Sequence, residues 1–69
     1  MRTRMTPEQR RDVIVTAAVR IARESENGVH AVSHGAVAKR CSIPTTARTV
    51  RHYFRDRAAL WAATEEAMK

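Results

Sequence analysis

At 69 residues the chain lies near the lower limit at which a single domain buries enough surface to fold unaided, which argues against a large enclosed catalytic pocket. Its only aromatics are Tyr53, Phe54 and Trp61, and its apolar set is mostly Ala, Val, Ile and Leu, which suits helix-on-helix packing and not a β-sandwich. A net charge of +6 and a pI near 11.1 suit a polyanionic partner, although charge alone is equally the mark of a solvated face.

Residues 1–5, with Arg2 and Arg4, precede any helix signal and read as a flexible basic arm. Such arms either fray or lie in a minor groove. Thr6, Pro7 and Gln9 then mark a helix start, with Thr as N-cap, Pro at the first position and Gln completing a capping box. This first helix is expected to end near the Asn27-Gly28 stop signal. Ile14, Ala17, Ala18, Ile21 and Ala22 form its buried stripe, while Arg10, Arg11, Arg20 and Arg23 lie mainly off it, in part paired with acidic residues.

Ser33 caps a second helix of about two turns, with Ala36, Val37, Ala38 and, at its end, Cys41. Gly35 within it either weakens the helix or marks close contact with another backbone. Pro44 disfavours a helical Ile43, so this helix ends before it and Ile43 becomes an apolar plug. A third helix begins at Thr45 or Thr46 and runs to about residue 55. On an ideal helix, Val50 and Phe54 point one way while Thr45, Arg48, His52 and Arg55 point the other, flanked by Thr49 and Arg51. Two buried residues thus support a polar, cationic face of the kind that enters a DNA major groove. Asp56 caps a fourth helix, in which Leu60, Ala63, Thr64 and Ala67 share a face and Trp61 and Met68 lie to one side. The expected fold is all-α and homeodomain-like, a bundle of a three-helix helix-turn-helix core and the start of a fourth helix, in one domain over residues 6–69.

Charge is distributed unevenly along these elements. Six arginines face four carboxylates in residues 1–27, six Lys or Arg face Asp56 alone in residues 28–57, and Lys69 faces Glu65 and Glu66 in residues 58–69. The excess therefore falls on the helix-turn-helix candidate, where a nucleic acid would require it.

Cys41 is the only cysteine, so an internal disulfide is excluded and a reducing compartment fits. No apolar run approaches a membrane span, and MRTRMTPEQRR lacks the apolar core of a signal peptide, so a cytoplasmic, nucleoid-associated protein with no membrane partner is expected. Cys41 reads as core filler.

From about Ile14 to Trp61 the chain resembles the DNA-binding domain of TetR-type (tetracycline-repressor-like) transcription regulators. The resemblance is carried by Ala17-Ala18, Gly28, the Ser33 cap, Val37-Ala38 and above all Thr49-Val50-Arg51-His52-Tyr53-Phe54 followed by Asp56-Arg57 and Leu60. It implies that the third helix enters the major groove and that Tyr53 and Arg57 hold phosphates. Arg51 stands where the family usually has an aromatic phosphate contact, His52 and Arg48 become candidate base readers, and Ser33 a phosphate donor. Two departures stand out: Ser42 replaces a usual Gly, and the stretch from the turn to the aromatic motif is about two residues longer than usual. Family members also continue into a dimerising, often ligand-binding domain.

The residues expected to contact DNA are therefore Ser33, Thr45, Thr46, Arg48, Thr49, Arg51, His52, Tyr53 and Arg57, in a sequence-selective transcription regulator acting as a repressor on double-stranded DNA. A competing expectation is a small protein-interaction module of phage or plasmid type. In it, or in a homodimer that spaces two recognition helices about one DNA turn apart, Leu60, Trp61 and Met68 form the contact. No catalytic residues, cofactor or metal site are expected, since paired carboxylates, a phosphate-binding Gly loop and a nucleophile–base pair are all missing at usable spacing. His30 and His34, though spaced i and i+4, straddle the Ser33 cap.

Overall fold

The computed structural model describes residues 5–69, so the expected basic arm, apart from Met5, lies outside the described residues. Among these the chain is all-α: α1 (Pro7–Glu24), a short 3-10 turn (Gly28–Ala31), α2 (His34–Arg40), α3 (Ala47–Tyr53) and α4 (Arg57–Ala67). No strand occurs among the described residues.

Each helix starts where its cap dictates. The Thr6 hydroxyl accepts the Gln9 N–H at 3.1 Å and the Gln9 side chain accepts the Thr6 N–H at 2.9 Å, closing a capping box ahead of Pro7. Ser33, Thr46 and Asp56 cap α2, α3 and α4 in the same way, accepting the N–H groups of Ala36, Thr49 and Ala59.

The end of α1 differs from expectation. It stops at Glu24, three residues before the Asn27-Gly28 signal, because Ser25 turns extended and its hydroxyl accepts the Asn27 N–H at 3.1 Å. Gly28 instead opens the 3-10 turn at φ +59°, a conformation that L side chains enter only with strain. The pairing expected within α1 is also replaced. Among the described residues its arginines form no ion pair, while Glu24 receives both of its bonds from Arg40 of α2, at 2.6 and 2.7 Å, and the Arg11 guanidinium lies 5.2 Å from the centre of the Phe54 ring.

The core is the expected α1 stripe of Ile14, Ala17, Ala18 and Ala22, with Val15, Val32, Val37, Val50, Phe54 and Leu60. Ile21 is half-buried against it. The alanines let α1 approach the 3-10 turn, α2 and α4 closely, whereas α3 rests chiefly on α2. Cys41 caps the end of α2, half-buried against the core, and burial pushes its thiol above the ordinary range, as suits a packing residue. Ile43 is half-buried in the turn and does not join the core, so it is not the expected plug. Gly35 is exposed, and a Cβ there would meet nothing within 4 Å, so no close backbone contact accounts for it. Gly35→Ala is accordingly expected to stabilise the domain by about 0.4–1 kcal/mol through the unfolded chain's lost entropy, read as a rise of a few degrees in thermal midpoint by circular dichroism.

Candidate nucleic-acid interface

The chain reaches α3 through a six-residue turn, Cys41–Thr46, in which Pro44 enforces extended backbone before it. Thr46 is extended (φ −122°, ψ 163°) and caps the helix, so Thr45 lies outside α3, half-buried in the turn. At the other end Phe54 leaves helical geometry (φ −131°, ψ 100°) while its N–H still closes on Val50. The expected helix over residues 45–55 is thus shortened at both ends to Ala47–Tyr53. α3 is only seven residues, about 10 Å, long.

Within that length the expected two-sidedness holds. Val50 is fully buried and Phe54 is 4% exposed, while Arg48, Arg51 and His52 are all exposed. Thr46 is exposed and Thr49 half-buried, with their hydroxyls 3.3 Å apart. Tyr53 is half-buried against the core, and the His52 ring meets it edge-on at 5.5 Å, so one aromatic serves both the interior and the rim of the outer face. Arg55 and Arg57 follow, both exposed, with Arg57 the first residue of α4. Among the described residues none of Arg48, Arg51, Arg55 and Arg57 forms an ion pair, in contrast to Arg40, whose charge Glu24 answers.

A contact not foreseen from the sequence gathers these groups. His34, the first residue of α2, is 8% exposed, and its Nε2 lies 2.8 Å from the carbonyl oxygen of Phe54. A carbonyl only accepts, so Nε2 carries a proton and donates. The bond brings the start of α2, with Ser33, to the end of α3, where Tyr53 stands and from which Arg55 and Arg57 follow. Thr46 and Arg48 occupy the opposite, turn end of α3. The Ser33 oxygen already accepts from Ala36, which leaves its O–H for an outside acceptor. The signal for His34 was present: with Val37, Ala38 and Cys41 it falls at i, i+3, i+4 and i+7, on the inward face of α2.

The fourth helix offers less apolar surface than its sequence implies. Leu60 is fully buried and Thr64 is buried with its hydroxyl donating to the Leu60 carbonyl at 2.7 Å. Trp61 is half-buried, its indole N–H donating to the Val32 carbonyl at 2.8 Å and its ring meeting His30 edge-on at 4.9 Å. Of Leu60, Trp61 and Met68 only Met68 is exposed, at 36%. Leu60 is thereby removed from the expected contact, because it packs in the core that α4 forms with α1.

A groove of about 280 Å³, flanked by Asp12 and Arg20 of α1 and by Arg40 and Ser42, contains none of the residues expected to meet DNA. No group of three or more His, Cys, Asp or Glu side chains arranged for a metal ion occurs among the described residues, and none of their helices is long and apolar enough to cross a membrane. Neither a scan against protein-family models nor searches of curated proteins and of solved structures found a match to this chain.

Proposed function

We propose that this chain is a sequence-selective DNA-binding transcription regulator of the TetR-like type, a repressor that acts by occupying its site and performs no chemistry of its own. The observation that carries the reading is the outer face of α3: Arg48, Arg51 and His52 stand exposed opposite the buried Val50 and Phe54, and Arg55 and Arg57 extend the same run of unanswered positive charge. In this reading α3 lies in the major groove. Arg48 and His52 read base edges, Thr46 and Thr49 lie beside them, and Arg51, Tyr53, Arg57 and the Ser33 hydroxyl hold phosphates. Thr45, outside the helix, contributes at most from the turn.

A domain this small makes few phosphate contacts, so its affinity depends heavily on counterion release. Titration with labelled random-sequence duplex is expected to show binding at low salt that weakens steeply as salt rises, and selection from a random pool to enrich a short motif. No retention of duplex at low salt overturns the proposal. The competing protein-interaction reading has less apolar surface to draw on, because Leu60 is enclosed and leaves it the half-buried Trp61 and the exposed Met68.

A further inference from the structure

We infer that His34 is a positioning residue: by donating its Nε2–H to the Phe54 carbonyl it ties the far end of α3 to α2 and sets the pitch of the cationic face. Its functional consequence rests on the reading of α3 as a DNA-contacting helix; the tie itself does not.

The geometry behind this is that of a short lever. α3 rests chiefly on α2, and the two are joined covalently only through the Cys41–Thr46 turn. At the opposite end the His34–Phe54 bond, between residues 20 apart, is the one side-chain hydrogen bond linking α2 to the end of α3 among the described residues. Phe54 is also where three elements converge: its ring lies in the core, the Arg11 guanidinium of α1 lies 5.2 Å from its centre, and its carbonyl meets α2. Beyond it the backbone turns at once into the Asp56 cap of α4, so Phe54 has no following helical turn to occupy its carbonyl. Without the tie, the end of α3 is held by the packing of Val50 and Phe54 and by the short link to α4, which fix its place in the core but not its fine pitch. Hydrogen bonds to base edges tolerate only a few tenths of an ångström in length, so a small pivot at the end of a helix about 10 Å long removes them, whereas contacts to phosphates by long arginines adjust. Loss of the tie should therefore reduce discrimination between sequences more than it reduces affinity for DNA in general.

The test compares His34→Gln, whose amide nitrogen can occupy the place of Nε2, with His34→Asn, whose amide falls short, and His34→Leu, which fills the space without a donor. For each variant that keeps wild-type helicity, affinity is measured for a duplex selected by the wild-type chain and for a scrambled duplex, and amide hydrogen exchange is followed along α1 and α3. The expected result is a fall of about tenfold or more in the ratio of the two affinities for His34→Asn or His34→Leu, with binding to the scrambled duplex nearly unchanged and discrimination retained in His34→Gln. Exchange in those two variants accelerates in α3 and not in α1. If only His34→Gln folds, retained discrimination and α3 protection in it support the tie, and their loss overturns it. Equal discrimination in all variants, or exchange that rises equally in α1 and α3, also overturns it. Should the wild-type chain bind no duplex, the DNA reading fails while the exchange comparison still decides whether His34 positions α3.

Discussion

Arg48→Ala is expected to relax preference at one or two positions of the bound sequence by about 1–3 kcal/mol, whereas Arg57→Ala weakens binding to every sequence alike. The two arginines carry the same charge and are both exposed, yet they stand in different places. Arg48 projects from the first turn of α3, opposite Val50, and in the proposed reading its guanidinium reaches two acceptors on one base edge. Arg57 opens α4, beyond the end of α3, where the proposed reading places the nucleic-acid backbone. Removing one phosphate contact lowers the slope of log affinity against log salt by about one, and losing a base contact leaves that slope nearly as it was. Binding of each variant to a panel of single-base changes, at several salt concentrations, separates the two roles. His52→Ala should follow Arg48, and Tyr53→Phe should follow Arg57. An Arg48 variant that loses affinity equally for all sequences, with a reduced slope, would place Arg48 on the backbone and shift base recognition elsewhere along α3.

Leu60→Ala is expected to destabilise the domain by about 2–5 kcal/mol. A domain of this size has a total stability of roughly 3–10 kcal/mol, so the variant should melt tens of degrees lower and be partly unfolded at room temperature. The size of the effect follows from position: Leu60 is fully buried in the core and packs where α4 meets α1. Chemical denaturation monitored by circular dichroism gives the value directly. Met68→Ala, at an exposed site, should change stability by less than about 0.5 kcal/mol. A Leu60 variant as stable as the parent would mean that α4 does not close the core.

Local chemistry made most of the fold legible. The caps at Thr6, Ser33 and Asp56, the α1 stripe except for the half-buried Ile21, and the opposition of Val50 and Phe54 to the arginines follow from spacing and side-chain type alone, and each is found in place. What was not legible depends on encounters between distant residues. Nothing local indicates that Glu24 bonds to Arg40 in preference to the arginines of its own helix, or that the carbonyl of Phe54 needs a donor from α2. The length of α3 also escaped: Pro44 marks where a helix cannot be, but which of Thr45 and Thr46 caps it depends on how the turn spans the distance back to α2. As to the site, the residue types and their outward direction were readable from the sequence. The joining of Ser33 to the far end of α3 was not, because it passes through His34.

The bond between the indole of Trp61 and the carbonyl of Val32 gives the molecule an optical reporter. As the lone tryptophan, it responds to the junction of α4 with the 3-10 turn, not to α3. Its emission should shift to the red and become open to quenchers when α4 lifts away from the 3-10 turn. Fluorescence thereby follows the opening of the molecule in a single cuvette and without a label.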